Sequence, residues 1–170
     1  QDLIMDAAEF QEQIKRMLEV YFGQSVILEW PISRGATDAL ARNNERYSPR
    51  VDVAVNTIGI NPGNRRAGIE GLWEDQAPRK LKAVTRDLWR NENPRCSLAI
   101  EVVFSGSSKH ILGDITNASM MGLYGIVVPS NKMVTKVKRI FEYVRVIREL
   151  GKAPESLFQN VAIVPQDEFV

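Results

Sequence analysis

An apolar run at residues 96–104, CSLAIEVVF, carries a single glutamate near its centre. A run of this length and composition predicts a central β-strand that is buried on both faces. A carboxylate at the middle of such a strand loses its hydration, which is unfavourable unless a cation or a hydrogen-bonding site compensates for it. We therefore expect Glu101 either to meet a cation or to lie where the strand opens onto a functional site.

The hydrophobic periodicity of the rest of the chain predicts a mixed α/β domain around this strand. The predicted helices cover residues 3–22, 69–92 with an interruption at Pro78, 109–121 and 132–150. The predicted strands cover residues 25–30, 50–55, 96–104, 124–130 and 160–165. A short helix is expected within residues 33–48, and residues 56–68 are expected to form a loop rich in Gly, Asn and Arg. We expect a single α/β domain over residues 1–170, with a small mixed central sheet flanked by helices.

The composition excludes several classes of site. The chain has 170 residues with a formal net charge of +1, and its only cysteine and histidine are Cys96 and His110. An internal disulfide, a cysteine-based zinc site and a multi-histidine metal cluster are therefore excluded, so any bound metal should have oxygen ligands. No apolar run reaches the roughly 20 residues of a transmembrane helix, and no signal peptide opens the chain, so we expect a cytoplasmic protein without a membrane partner.

A second predicted strand also carries an acid at its middle. Asp52 lies within RVDVAV, between two valines. Each acid alone could face solvent or pair with an arginine such as Arg50 or Arg95. Carboxylates on neighbouring strands can instead converge on one Mg²⁺ ion, which prefers oxygen ligands and keeps several of its waters. For the pair we favour the metal site, with Asp52 and Glu101 as the ligands.

The order of these elements resembles the core of the restriction-endonuclease-like nucleases, the PD-(D/E)XK superfamily. The likeness covers roughly residues 4–128: a helix, a strand, two acid-bearing strands, a helix and a strand. Asp52 in SPRVDVAV and Glu101 in AIEVVFSG match the two acids of the family motif. The resemblance implies a Mg²⁺- or Mn²⁺-dependent endonuclease that hydrolyses phosphodiester bonds of DNA, in restriction or another form of defence.

The sequence departs from the family pattern at two positions. The proline of the motif stands at Pro49, three residues before Asp52, and the lysine expected two residues after Glu101 is replaced by Val103. Residues i and i+2 of a strand share a face, so the valine occupies a place that points towards the site. Lys109, just after SGSS, is the nearest lysine that could supply the missing charge as a third catalytic residue, although it could equally be a solvated surface lysine.

Several residues are candidates for binding nucleic acid, and duplex DNA is the expected partner. A homodimer would be the natural form for cutting both strands of a duplex. Arg65 and Arg66 lie in the loop after the Asp52 strand. Ser107 and Ser108 could present backbone N–H groups to a phosphate at a helix N-terminus. His110 begins a polar stripe with Asp114 and Asn117, which is either a solvated surface or the edge of the site with His110 as an acid or phosphate contact. Further basic residues cluster at 79–90 and 132–148 and could also be solvated helix faces.

Three functions remain open from the sequence. The first is the metal-dependent nuclease. The second is a nuclease-derived binding or assembly module that has lost catalysis through Val103. The third is an α/β enzyme that binds a small phosphorylated ligand at the SGSSKH loop, which a compact apolar pocket beside residues 105–110 would favour.

Overall fold

Five strands form one mixed sheet whose spatial order, β1-β2-β3-β4-β5, follows the order of the chain. The strands are β1 (Val26–Pro31), β2 (Arg50–Val55), β3 (Cys96–Val103), β4 (Gly122–Pro129) and β5 (Val161–Ile163). The β1–β2 and β2–β3 pairs are antiparallel, whereas β3–β4 and β4–β5 are parallel. This computed structural model describes residues 5–31, 50–58 and 65–169, and the short helix expected within residues 33–48 lies outside them.

Helices cover both faces of the sheet. They are α1 (Ala7–Phe22), α2 (Arg65–Gln76), α3 (Arg79–Thr85), α4 (Ser108–Met121), α5 (Val134–Glu149) and the short α6 (Gln166–Phe169). The larger apolar cluster joins α1, α2 and α3 to one face of the sheet. A second cluster joins α4 and α5 to the other face. None of the helices in the described part of the chain is long and apolar enough to cross a lipid bilayer.

Local sequence signals account for both ends of α1 and for the start of α4. Asp6 and Glu9 form a capping box at the start of α1, and Gly23 ends the helix with a φ of 61°, a conformation that glycine adopts without strain. Ser107 caps the N-terminus of α4, where its Oγ accepts a hydrogen bond from the His110 N–H.

The close approach of α4 to the sheet depends on one glycine. A Cβ atom at Gly125 of β4 would lie 2.9 Å from the carbonyl carbon and oxygen of Ala118 in α4. Only a residue without a side chain lets the helix pack at this distance. This packing holds α4 against β3 and β4, and so fixes which side chains of α4 face the acid-bearing strands.

The structure agrees with the predicted α/β architecture and corrects three element boundaries. The segment 69–92 is divided at Pro78, as the sequence predicted, but Pro78 lies at the N-cap position of α3 and the helix ends at Thr85, well before residue 92. Arg65 and Arg66 begin α2 and do not lie in a loop. A terminal helix, α6, follows β5, where the sequence predicted no further element.

Candidate functional site

Asp52 and Glu101 lie on neighbouring antiparallel strands. The last pairs in the β2–β3 register are Val55 with Leu98, Ala54 with Ala99, and Val53 with Ile100. One residue further, the same register sets Asp52 opposite Glu101, so both side chains project from the same face. The two acids predicted from mid-strand positions therefore meet, on the face that α4 covers.

At Asp52 a hydrogen bond to a side chain replaces the backbone pairing between β2 and β3. The Val102 N–H donates a 2.7 Å hydrogen bond to Oδ2 of Asp52, and the Asp52 and Glu101 carboxyls lie close enough for each to influence the pKa of the other. Glu101 is only 3% exposed, and its Oε1 has no hydrogen-bond partner among the described residues. A buried, unpartnered carboxyl oxygen is unfavourable in an isolated protein and marks a place where a ligand can bind.

The electrostatics of the pair follow from burial. Desolvation raises the pKa of Glu101 to about 11, and the neighbouring carboxyls of Asp52 and Asp114 add to the shift. Desolvation also raises the pKa of Asp52, although hydrogen bonds from the Val102 N–H and the Glu101 carboxyl oppose this effect. No arginine pairs with either acid within residues 5–31, 50–58 and 65–169. With a pKa of about 11, the Glu101 carboxyl keeps its proton at neutral pH when no cation is bound.

Asp114 of α4 is a third acid at this centre. It is half-buried, and burial followed by the nearby Asp52 carboxylate raises its pKa to about 6. Farther along the same stripe, Nδ2 of Asn117 donates to the Arg50 carbonyl oxygen at 3.4 Å. The stripe that begins at His110 therefore lies against the edge of the site from Asp114 onwards, while His110 itself is exposed.

Glu29 of β1 is a fourth acid, and the sequence interpretation missed it. In the β1–β2 register it lies between the pairs Leu28–Val53 and Trp30–Val51, and so across from Asp52. Burial and the Asp52 carboxylate raise its pKa, while Arg50 and a hydrogen bond with Gln11 lower it. An acid among the apolar residues of SVILEW is a signal similar to the one that identified Asp52 and Glu101, although Glu29 lies next to the end of that predicted strand.

The backbone at Glu29 adopts an uncommon conformation. Its φ of 50° lies in the left-handed region, which side-chain-bearing residues seldom occupy within a strand. Backbone outliers of this kind concentrate at functional sites, where the surrounding structure maintains them. The outlier therefore supports a functional role for the row of acids formed by Glu29, Asp52 and Glu101.

The donor set at this centre fits a hard divalent cation. All the candidate ligands are carboxylate oxygens, which Mg²⁺ and Mn²⁺ prefer, and Oε1 of Glu101 is unpartnered. Within the described ranges no three His, Cys, Asp or Glu side chains are already arranged as a set of metal ligands. Two carboxylates with water ligands are sufficient for Mg²⁺.

Neither of the two positions considered for the activating cation, 103 and 109, brings a positive charge to the acids. Val103 shares the face of Glu101 but is 1% exposed, packed with Ile111, Ile115 and Val127. Lys109 lines a groove between α4 and α5. Asp114 follows Lys109 by five positions, which places the two side chains about 140° apart around the helix axis. The two side chains therefore project in different directions, and Lys109 in this conformation faces away from the acids.

The residues predicted to bind nucleic acid are dispersed. Nε of Arg66 pairs with Glu70 at 2.6 Å, and Glu70 also pairs with Arg90 at 3.2 Å. Arg65 opens the same helix, and its side chain lies outside the described part of the structure.

The serines and the histidine lie together at the start of α4. Oγ of Ser107 is 2.9 Å from Nδ1 of His110, and Ser108 is exposed at the first position of the helix. The structure therefore brings Ser107 and His110 into contact with each other, and places Ser108 on the wall of the α4–α5 groove.

Comparison with protein-family models, with curated proteins and with solved structures found no match to this chain. The chemistry of the site therefore has to be inferred from its geometry.

Proposed function

We propose that this protein is a metal-dependent nuclease that hydrolyses phosphodiester bonds, with duplex DNA as its substrate and restriction or another form of defence as its role. The observation that carries the proposal is the buried Asp52–Glu101 pair with its unpartnered Oε1. Such a pair is unfavourable unless a cation or a proton neutralises it, and a hard cation fits its oxygen donors.

In this proposal Asp52 and Glu101 hold Mg²⁺ or Mn²⁺, and Asp114 and Glu29 add negative charge beside it. A bound Mg²⁺ supplies Lewis-acid polarisation of the phosphodiester and offsets the charge that develops on it. The Val102 N–H orients Asp52 through its 2.7 Å hydrogen bond. The burial of Glu101 excludes water from its carboxyl, which strengthens its interaction with a cation.

The topology supports the restriction-endonuclease-like part of the proposal. Along the described chain, α1, β1, β2, β3, α4 and β4 appear in the order that the resemblance requires, with α2 and α3 inserted between β2 and β3. The two acids lie on β2 and β3, which are neighbours in the sheet. A superfamily assignment needs more than this order, so it remains part of the proposal.

A second candidate function is a nucleic-acid-binding or assembly module that has lost catalysis. The packing of Val103 in the apolar core favours it, because the lysine of the family motif is then missing from its usual face. Catalysis would require a cation from Lys109, after a movement of the start of α4, or from residues outside the described ranges.

Cleavage with defined metals tests the nuclease proposal. The purified protein is incubated with plasmid DNA, linear duplex and RNA in Mg²⁺, Mn²⁺ or EDTA. We expect cleavage of duplex DNA with Mg²⁺ or Mn²⁺, no cleavage in EDTA, and no cleavage by Asp52→Asn or Glu101→Gln. The exposed carboxyl variant Glu12→Gln is the matched control and should cut like the parent. Binding of nucleic acid without cleavage in either metal would favour the second candidate.

Lys109→Ala tests the source of the activating charge. If Lys109 moves to the acids in the substrate complex, its loss should lower the cleavage rate about 10²-fold, the scale of one lost electrostatic stabiliser. Thermal stability should barely change, because the side chain is exposed. Cleavage at the parental rate would show that Lys109 has no part in catalysis.

A further inference from the structure

A long groove lies between α4 and α5, on the outer side of these helices. It has a volume of about 890 Å³. Its floor is made of apolar side chains, namely Leu112, Ile140, Tyr143, Val144, Ile147, Leu157 and Phe158. Tyr143 is 67% exposed and Leu112 is 42% exposed, so the floor includes large apolar surface in contact with solvent.

Positive charge is concentrated at one end of this groove. Lys109, Lys132, Lys136 and Arg139 line that end, and no acidic side chain lines the groove within the described ranges. Nζ of Lys136 donates to the Gly106 carbonyl oxygen at 2.9 Å, which leaves its charge unneutralised. For Lys109, Lys132 and Arg139, the described residues include no carboxylate within ion-pair distance.

The topology adds to the charge at this end. The strands β3, β4 and β5 are mutually parallel, and α4 and α5 are the two crossover helices that connect them. Both helices therefore run antiparallel to the strands, and their N-termini lie together beyond the C-terminal ends of the strands. Helix N-termini carry partial positive charge, which reinforces that of the four side chains.

We propose that the α4–α5 groove binds an acidic amphipathic helix of a partner protein. A nucleic acid would use the cations but would leave the apolar floor uncovered, whereas an amphipathic helix matches both parts of the groove. The length also agrees, since the lining residues of α5 run from Thr135 to Ile147, about 18 Å of helix. The partner helix would bring its acidic turn to the cationic end and its apolar stripe to the floor.

The groove is extended and does not form a compact pocket at the SGSSKH loop. Ser108 and Lys109 lie at its cationic end, and most of its lining belongs to α5. This shape fits a helix better than the small phosphorylated ligand that the sequence left open as a third function.

A pair of designed peptides tests the proposal on the full chain. Both carry leucines at i, i+3, i+4 and i+7 over four turns; one has glutamates in its first two turns, and the other has lysines there. Fluorescence anisotropy should show saturable binding of the acidic peptide, and binding of the basic peptide at least tenfold weaker. No saturable binding of the acidic peptide, or equal binding of the two, would overturn the proposal.

Matched variants then locate the contact. Lys132→Glu and Arg139→Glu should each weaken binding of the acidic peptide about tenfold. Tyr143→Ala should weaken its binding several-fold. Lys138→Glu makes the same change of charge on an exposed position of α5 outside the groove, and should leave binding unchanged. An equal loss with Lys138→Glu would mean that only net charge matters, and would overturn the proposal.

Competition with DNA separates this inference from the nuclease proposal. Duplex DNA should not displace the acidic peptide, and Asp52→Asn should bind it as the parent does. If duplex DNA displaces it and the two groove variants lose DNA binding equally, the groove is a phosphate-binding surface and the proposal is wrong.

Discussion

Glu29, Asp52 and Glu101 lie on three neighbouring strands, and burial followed by the Asp52 carboxylate raises the pKa of both of the other acids. Asp52 lies between Glu29 and Glu101 in the register, and Asp114 of α4 is near enough to shift the pKa of Glu101. Carboxyls as close as those of Asp52 and Glu101 resist ionising together without a cation, whereas Glu29 is exposed to solvent. Protonation and metal binding are therefore alternative ways to stabilise the same residues.

The pH dependence of stability tests the protonation of Glu101. Since its pKa is raised to about 11, the folded protein keeps a proton that the unfolded chain releases above its normal pKa of 4.5. Metal-free protein should therefore lose stability as the pH rises from 4.5, by up to about 4 kcal/mol at pH 7.5. Glu101→Gln removes the titrating carboxyl. The variant should therefore be more stable than the parent at pH 7.5, and should have no such advantage near pH 4.

Urea unfolding across this pH range is the measurement, with Glu12→Gln as the control for loss of one exposed carboxyl. Parallel pH profiles for the parent and Glu101→Gln would contradict a raised pKa at Glu101. Asp52 and Asp114 face the same carboxyl, so Asp114→Asn should reduce the slope of the parent without abolishing it.

At the scale of elements, the packing of α4 and α5 on β3 decides which neighbours of the acids can be polar. Val103 lies on the face of Glu101 yet is enclosed by these helices. The same packing turns Asp114 towards Asp52 and Lys109 towards the groove. The rotation of α4 therefore determines which of its charged residues can act at the site.

Placing a lysine at position 103, where the resemblance to the nucleases expects one, should not produce a functional site in this chain. Val103→Lys would bury an ammonium group where the side chain is 1% exposed, and should lower the free energy of unfolding by about 3 kcal/mol or more. Val20→Lys on α1, which is 78% exposed, is the control and should change it by less than about 0.5 kcal/mol. A Val103→Lys protein with parental stability and faster cleavage would show that this position opens onto the site.

Two glycine substitutions test how tightly α4 packs. Gly125→Ala would place a Cβ 2.9 Å from backbone atoms of Ala118, and should lower the free energy of unfolding by about 2 kcal/mol. Gly113→Ala lies within α4 with no atom within 4 Å of the new Cβ, and should raise it by about 0.5–1 kcal/mol. Urea unfolding of both variants gives the comparison, and equal effects would argue against close packing of α4 on β4.

At the scale of the whole molecule, two of the basic regions in the described part of the chain lie on opposite sides of the sheet. One is the cationic end of the α4–α5 groove, and the other is the start of α2 on the opposite side of the sheet. Arg66 and Arg90 in the second region already pair with Glu70, which reduces the charge available to a phosphate. The net charge of +1 hides this distribution.

The salt dependence of DNA binding tests the arginines that the sequence singled out. If Arg65 and Arg66 contact phosphates, the double variant Arg65→Ala/Arg66→Ala should bind duplex DNA more weakly. The slope of log K against log salt should fall in magnitude by about 0.9 for each lost contact. Arg145→Ala, whose parent side chain pairs with Glu142 and Glu149, is the control. A slope equal to that of the control would show that these arginines do not contact phosphates and serve only to stabilise α2.

The sequence by itself determined the elements and the neighbouring acids. Apolar periodicity is a local property, so it located α1, α4 and α5 and all five strands to within a few residues. Asp52 and Glu101 could be paired in advance, because successive strands tend to be neighbours and alternate residues share a face. The same signal was present at Glu29 and would have added it to the row.

Only the tertiary structure decided what surrounds those acids. The burial of Val103, the direction of Lys109 and the groove between α4 and α5 depend on how two helices rotate and pack on one sheet. That packing is set by contacts between residues far apart in the chain, such as Gly125 with Ala118. The raised pKa of Glu101 likewise follows from desolvation by the whole fold, which no local pattern of residues encodes.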